Sequence, residues 1–175
     1  MKTTARMVSL ALVLLLAASA AAGAAADLSG TWVLDRAQSQ VPAHGDKGAG
    51  ASGGAQNQTP PAEVKLIVVQ QGDTLKVTRT TSRTGKERSF TETITANGTE
   101  QTETRRHGTT VSKATWNGDQ LVVTQSSNMT TPKGERQMSR QSVWSVSPDG
   151  HTLTIETTFN GPRGERSMKT VYVKS

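Results

Sequence analysis

The sequence contains no cysteine, and aromatic residues make up only 3% of its 175 positions. Without cysteine the chain has no disulfide framework and no acceptor for a lipoprotein acyl group. Hydrophobic residues amount to 33%, and many of them are concentrated near the N-terminus. Beyond that region no apolar run approaches the roughly 18 residues that a membrane-spanning helix needs. The composition therefore argues against a transmembrane helix, a coiled coil and a large apolar core.

The N-terminal segment has the three parts of a secretory signal. Lys2 and Arg6 supply a basic start, residues 7–18 form an apolar run that one serine interrupts, and a series of alanines follows. The strongly apolar part is too short for a membrane anchor. We therefore predict a signal peptide over residues 1–26 and one mature domain over residues 27–175, which is exported to a bacterial periplasm or secreted.

Apolar and polar residues alternate with a period of two through most of the mature part. Leu75 and Val77, for example, flank a lysine. Threonine, the most frequent residue of this part, suits the solvated face of a sheet because it is β-branched. Gly-Asp, Asn-Gly and Asp-Gly pairs supply the positive φ angles that tight hairpins need. The pattern predicts an all-β domain with strands near 29–35, 63–71, 74–83, 86–95, 99–106, 109–117, 120–130, 135–147, 151–160 and 165–174.

One segment departs from this pattern. Residues 36–62 are rich in glycine, alanine, glutamine and proline. This composition is typical of a flexible loop. We expect the loop to lie over one end of the sheet, with a short helical turn near residues 35–40.

A weak repeat indicates how the strands connect. Segments that begin at Leu75, Leu121 and Leu153 each run from a Gly-Asp or Asp-Gly turn to a glycine-bearing hairpin tip, and then return through a Glu-Arg-x-apolar stretch. Repeated hairpins predict an antiparallel up-and-down meander of about 8–10 strands. Because a long meander leaves exposed edges unless its ends meet, we expect a closed barrel.

The stretch Leu28-Ser-Gly30-Thr-Trp32 resembles the Gly-x-Trp opening strand of lipocalins and their calycin relatives, and more loosely that of small exported bacterial lipocalin-like domains. The resemblance implies a lipocalin-like β-barrel in which Trp32 plugs the closed end and Gly30 allows close backbone approach. The chain departs from the family in lacking a Thr-Asp-Tyr-like segment. It also has Lys169 and Lys174 where lipocalins place an arginine over the tryptophan. The implied fold survives these departures, but no particular lipocalin ligand is implied.

The strand face that carries the apolar residues would line the barrel interior. Along each strand this face is apolar near the Gly-Asp turns and polar or basic toward the other end. The gradient predicts a dry floor and an arginine-bearing mouth, which suits an amphiphilic anion such as a fatty acid because guanidinium groups offer paired donors. The candidate ligand-binding residues are Arg79 and Arg140 for the head group, Tyr172 as a hydroxyl donor, and Trp116, Trp144, Ile94 and Phe159 around the tail.

Three further arginines lie at predicted hairpin tips. Arg88, Arg136 and Arg166 each follow a glutamate directly. Charges at exposed sheet ends commonly serve solubility. We therefore interpret these three as solvated residues that pair with the neighbouring glutamates, and we assign them no ligand.

Sequence signals for catalysis, metals and nucleic acids are poor. His44, His107 and His151 lie in a loop and near turns without ligand spacing, and no nucleophile elbow occurs. Removal of Lys2 and Arg6 with the leader lowers the net charge from +6 to +4, which argues against a nucleic-acid-binding surface. The outward phase of threonine, serine, lysine and glutamine disfavours stable membrane insertion. We expect no enzyme activity, no cofactor and no metal.

These observations favour an exported, lipocalin-like protein that binds a small hydrophobic or amphiphilic anionic ligand without transforming it. A second interpretation is a structural or interaction module of the cell envelope, with a barrel filled by its own side chains. It stays open because small barrels often have no cavity. The sequence gives no indication of the oligomeric state.

Overall fold

The computed structural model describes residues 25–40, 62–105, 108–131, 134–162 and 164–175. Antiparallel strands make up most of this part of the chain. In order, the ten strands of the described residues are β1 (Gly30–Gln40), β2 (Glu63–Gln71), β3 (Thr74–Arg83), β4 (Lys86–Thr95), β5 (Gln101–Arg105), β6 (Gly108–Asn117), β7 (Gln120–Thr131), β8 (Gly134–Val146), β9 (Thr152–Gly161) and β10 (Gly164–Lys174).

The strands form where inward and outward side chains alternate. In β2, Val64, Leu66 and Val68 are buried, and the side chains between them face outward because successive residues of a pleated strand point to opposite sides. Two-residue turns join β2 to β3 and β6 to β7. In these turns Gly72 and Gly118 have φ angles of 58° and 63°, which cost glycine little. The predicted all-β class and antiparallel up-and-down meander are confirmed.

The first strand lies in the middle of the sheet. β1 pairs antiparallel with β2 on one side and with β10 on the other, so Trp32 lies opposite both Leu66 and Lys174. The strand order is β4-β3-β2-β1-β10-β9-β8-β7-β6-β5. The first and last strands of the domain therefore meet, as the predicted barrel requires.

The second seam of the barrel lies between β4 and β5, which do not pair in a ladder within the described residues. The two sides meet near the floor. There Asn97 forms a bridge with Thr115, and the amide of Gly98 donates a hydrogen bond to the carbonyl of Ala114 at 2.9 Å. Toward the hairpin tips a cavity separates β4 from β5 and β6.

The segment after β1 begins later than the sequence predicts. Residues 36–40 belong to β1, so the expected loop over residues 36–62 starts too early. Residues 41–61 of that loop lie outside the described residues. Most of the signal peptide predicted over residues 1–26 does too.

A bulge takes the place of the expected helical turn. The pairing with β10 shifts register between Asp35 and Gln40. Within this bulge the hydroxyl of Ser39 accepts a hydrogen bond from the amide of Val171 at 2.9 Å. The carboxylate of Asp35 accepts one from the amide of Ala37 at 2.9 Å. The Ser39 bond keeps the chain beside β10, and both bonds give the irregular backbone partners that a ladder would otherwise supply.

Trp32 closes the floor of the barrel and is fully buried. Its Nε1 donates to the carbonyl of Leu28 at 3.0 Å, and Nζ of Lys174 lies 5.1 Å from the ring centroid, within cation–π range. Gly30 has a φ of 146°, and a Cβ there would lie 2.9 Å from Cε of Lys174. Lys174 thus covers the tryptophan where lipocalins have an arginine. The largest fully buried side chains are Trp32, Leu28, Leu75, Leu121, Leu153 and Val68.

Candidate ligand-binding cavity

Cross-strand pairing arranges the interior side chains in rows. Trp144 on β8 lies opposite Ile155 on β9, and four residues nearer the hairpin tips Arg140 lies opposite Phe159. The rows change from apolar to polar or basic because the strands have their apolar residues near the floor, and β3 and β8 have an inward arginine nearer the tip. The gradient expected from the sequence thus becomes a gradient along the barrel axis.

A cavity of about 890 Å³ occupies the interior between these rows. Apolar side chains predominate toward the floor, and charged side chains lie toward the mouth. The apolar lining consists of Leu34, Ala62, Val64, Leu66, Val77, Trp144, Ile155, Phe159, Met168 and Tyr172, and the charged lining of Arg36, Arg79, Arg83, Glu92 and Arg140.

The two predicted head-group residues reach this cavity from opposite sides of the barrel. Arg79, on β3, lies opposite Leu66 and is exposed. Arg140, on β8, lies opposite Phe159 and is half-buried. Neither guanidinium has a hydrogen-bond or ion-pair partner among the described residues. Their donors are therefore free to meet an anion, which paired arginines would not be.

One carboxylate shares the cavity with the arginines. Glu92 lies opposite Val77, is half-buried and forms no ion pair with any described residue. The lining still carries four arginines against this single glutamate, so the cavity has an excess of positive charge. Glu92 is not among the ligand-binding residues predicted from the sequence.

Hydroxyl groups give the middle of the cavity some polar character. Oγ of Ser142 and Oγ1 of Thr157 lie 3.2 Å apart, and Thr170 donates to a carbonyl of β9 at 3.3 Å. Tyr172 is 3% exposed and lines the cavity. Because Ser142, Thr157 and Thr170 already have partners, they need none from a ligand.

The three tryptophans occupy different environments. Trp32 closes the floor, and Trp144 lines the cavity. Trp116, on β6 opposite Leu121, packs against the core without lining the cavity. Nε1 of Trp116 and of Trp144 is shielded from solvent and has no partner among the described residues. The structure therefore does not bring Trp116 to the other candidate ligand-binding residues.

The remaining candidates converge. Phe159 is 38% exposed where the interior meets the mouth. Ile94, in contrast, lines a small space between β4 and β6. Whether the converging residues contact a ligand stays a prediction. The residues brought to one cavity are Arg79, Arg140, Tyr172, Trp144 and Phe159.

A second cavity, of about 740 Å³, lies at the tips of the β7–β8 and β9–β10 hairpins, and we call it the rim cavity. Arg140 and Phe159 line both cavities, and Arg136, Arg166 and Met138 line only the rim cavity. Neither tip arginine forms the expected ion pair with its neighbouring glutamate among the described residues, because adjacent strand residues point to opposite faces. Both arginines share the inward face of Arg140, and only their position at the hairpin tips favoured the interpretation as solvated residues.

The open seam between β4 and β5 holds a third cavity, of about 930 Å³. Phe90 and Met129, which are 60% and 39% exposed, contribute apolar surface to it. Arg140 lines this cavity as well. One arginine thus borders the interior, the rim and the seam.

Two carboxylates near the floor are held by hydrogen bonds. The hydroxyl of Ser147 and the amide of His151 donate to Asp149 between β8 and β9, and these bonds lower the pKa of its carboxyl below the usual value. Hydrogen bonds from Ser29 likewise lower the pKa of Asp27 before β1. Neither carboxylate lines the barrel cavity; Asp149 holds the turn between β8 and β9, and Asp27 holds the segment before β1.

The part of the chain that the structure describes holds no cluster of three or more histidine, aspartate and glutamate side chains placed to bind a metal ion. Within that same part, no helix has the length and apolar character that crossing a bilayer requires.

The antiparallel up-and-down strand order, with first and last strands paired around an interior cavity, defines a calycin-type β-barrel. No protein-family model and no curated protein matches the sequence. Among solved structures, human cRBP IV matches with a TM-score of 0.50 and 19% identity over 86% of this chain and 99% of that one. This likeness supports the fold alone.

Two further solved structures match more weakly. Zebrafish ileal bile acid-binding protein complexed with cholic acid has a TM-score of 0.47 and 17% identity, over 84% of this chain and 98% of that one. Secretory abundant heat soluble protein 4 from Ramazzottius varieornatus has a TM-score of 0.46 and 18% identity, over 84% of this chain and 94% of that one.

Proposed function

We propose that the protein binds a small hydrophobic or amphiphilic anionic ligand inside the barrel and does not transform it. The observation that carries this proposal is the interior cavity of about 890 Å³, which combines an apolar lining with Arg79 and Arg140 at its mouth. Pockets of a few hundred cubic ångströms or more, mostly apolar with a few placed polar groups, are typical of small-molecule sites.

The charge at the mouth supports an anionic head group. Placing the half-buried, unpaired guanidinium of Arg140 at the edge of an apolar cavity costs free energy unless a partner compensates. A carboxylate or phosphate supplies that partner through paired hydrogen bonds. Because Arg79 and Arg140 stand half-way round the barrel from each other, either can hold the head group of a ligand whose tail points to the floor.

The alternative of a filled barrel is less well supported. A cell-envelope module without a ligand would need side chains to occupy the interior, as in small barrels whose lumen is packed. The volume between the rows instead remains open. Mass spectrometry of the protein purified from its host distinguishes the two, because a ligand-binding barrel is expected to carry lipid and a filled one is not.

The direct test is binding of a fluorescent fatty-acid analogue to the double variant Arg79→Ala, Arg140→Ala. We expect the affinity to fall by at least about tenfold, since each hydrogen bond to a charged group contributes about 1.5–3 kcal/mol. The matched control is Lys65→Ala with Lys76→Ala, which removes the same charge from the outward phase of β2 and β3. Equal affinity of both double variants and the unmodified protein contradicts the anionic head group.

Export is part of the same proposal. The basic start, apolar run and alanines over residues 1–26 support a cleaved signal peptide and a periplasmic or secreted mature protein. N-terminal sequencing of the protein from a periplasmic or culture fraction is expected to begin at Asp27. A cytoplasmic protein that keeps its N-terminal methionine contradicts export without affecting the ligand proposal.

A further inference from the structure

The rim cavity differs from the barrel interior in its charge. Three arginines line it, and none of the described residues that line it is acidic. The interior, in contrast, contains Glu92. An anion with more than one negative charge is therefore favoured at the rim and opposed near Glu92. The arginines of the rim are Arg136, Arg140 and Arg166.

Strand register places two of these arginines on either side of Phe159. Arg140 on β8 lies opposite Phe159 on β9, which in turn lies opposite Arg166 on β10. With strands about 4.8 Å apart, the Cα atoms of the two arginines are about 10 Å apart and flank Phe159. Arg136 lies two inward positions beyond Arg140 along β8, toward the tip. All three arginines line the rim cavity, which meets the interior at Arg140 and Phe159.

None of the three arginines is paired with a carboxylate among the described residues. A fatty-acid carboxylate brings one negative charge and two oxygens, so it satisfies at most part of this set. A phosphate monoester carries about −1.5 to −2 charges at neutral pH and three terminal oxygens. Arginine binds such groups through two parallel hydrogen bonds. The number and the charge of the donors therefore match a phosphoryl group better than a carboxylate.

Apolar side chains connect the rim to the interior. Met138 and Phe159 are 43% and 38% exposed and line the rim cavity beside the arginines. A Cβ on Gly161 would lie 3.5 Å from Cγ of Met138, so glycine leaves space beside that side chain. A tail that leaves a head group at the rim therefore meets apolar surface before it enters the barrel.

We propose, on the basis of the function proposed above, that the ligand is an amphiphile with a phosphate monoester head. Its phosphoryl group lies between Arg136, Arg140 and Arg166, and its tail passes Phe159 into the interior. This assigns a binding role to Arg136 and Arg166, two residues at exposed hairpin tips, and places the head group away from Glu92.

The test compares dodecyl phosphate with dodecanoate, which share a tail but differ in head group, by displacement of the fluorescent fatty-acid analogue from the full chain. We expect dodecyl phosphate to bind at least about tenfold more tightly, the effect of one additional hydrogen bond to a charged group. Inorganic phosphate, which has the head group but no tail, is expected to compete only at far higher concentration.

The variant Arg136→Gln, Arg166→Gln is expected to lower the affinity for dodecyl phosphate by about tenfold and that for dodecanoate by no more than about twofold. The control Lys86→Gln, Arg88→Gln removes the same charge from the tip of the β3–β4 hairpin, outside both cavities. It is expected to leave both affinities unchanged. Because all four side chains are exposed, both variants should fold, which circular dichroism checks.

Each contrary result overturns a different part of the ligand proposal. Equal affinity for the two amphiphiles, or equal effects of the tip variant and its control, overturns the phosphoryl head group and leaves the ligand-binding function intact. Competition by inorganic phosphate at the concentration that suffices for dodecyl phosphate overturns the amphiphilic ligand. If neither amphiphile nor the fluorescent analogue binds the unmodified protein, the proposed function itself fails.

Discussion

Two adjacent valines of β2 allow the inward and outward faces of the barrel to be compared directly. Val68 is 2% exposed and lies opposite Val77 and Gly30, whereas Val69 is 48% exposed and lies opposite Lys76. Replacement by alanine removes two carbons at either position, so intrinsic strand propensity changes similarly in both variants. The difference between them therefore isolates burial.

The expected magnitudes follow from these exposures. At Val68 the lost transfer free energy is about 1.6 kcal/mol, at roughly 0.8 kcal/mol per carbon, and the space left behind adds on the order of 1 kcal/mol. At Val69 about half of the transfer term is lost and no cavity forms, which gives about 0.8 kcal/mol. Val68→Ala should thus lose about 2 kcal/mol more stability than Val69→Ala, or about 4–8 °C in Tm.

Urea unfolding followed by tryptophan fluorescence measures both free energies of unfolding, because Trp32 and Trp144 are buried in the folded state. The denaturant slopes of the two variants should agree, so that the midpoints report stability alone. Equal losses at the two positions, or a larger loss for Val69→Ala, would show that β2 does not present Val68 to the core. That outcome would refute both the register of β2 and the barrel interior built on it.

Two further predictions concern turns. Thr84 has a φ of 48° at the β3–β4 tip, a value unfavourable for a β-branched residue. Thr84→Asn should therefore raise the free energy of unfolding, measured by urea titration, by about 0.5–1 kcal/mol. No gain in stability would show that the turn is unstrained. Hydrogen bonds lower the pKa of Asp149 below 3.8, so its ionised carboxylate stabilises the fold at neutral pH. This stabilisation is lost as acidification below about pH 4 protonates the carboxylate in the folded protein. Thermal scans from about pH 6 to pH 3 should therefore show a smaller decrease in Tm for Asp149→Asn than for the unmodified protein, and parallel curves would contradict this role.

The strands were predictable because alternation is a local property of the pleated backbone. The predicted strand over residues 74–83 coincides with β3, and the strand expected near 151–160 is β9 within one residue at each end. The exception is the C-terminal half of β1. There an Asp-Arg-Ala-Gln stretch has no alternating pattern, and the strand continues only because the neighbouring β10 supplies hydrogen bonds across a bulge.

The site was predictable only in part. The inward phase of Arg79, Trp144 and Tyr172 could be read along single strands, and the structure places all three at one cavity. Trp116 has the aromatic character of a tail contact, yet β6 directs it to the core beside the seam. Arg136 has the same inward phase from which Arg140 was predicted, but the position of Arg136 at a hairpin tip favoured the interpretation as a solvated residue.

By itself the amino-acid sequence determined which side chains of each strand face inward and that the strands follow one another as antiparallel hairpins. Only the tertiary structure decided that β1 and β10 meet, that the wall opens between β4 and β5, and that Arg140 and Arg166 flank Phe159 while Arg136 lines the same rim cavity. The reason is physical. Alternation depends on neighbours two residues apart, whereas the grouping of charges from β8 and β10 depends on the register across three strands, which forms only when the whole sheet pairs.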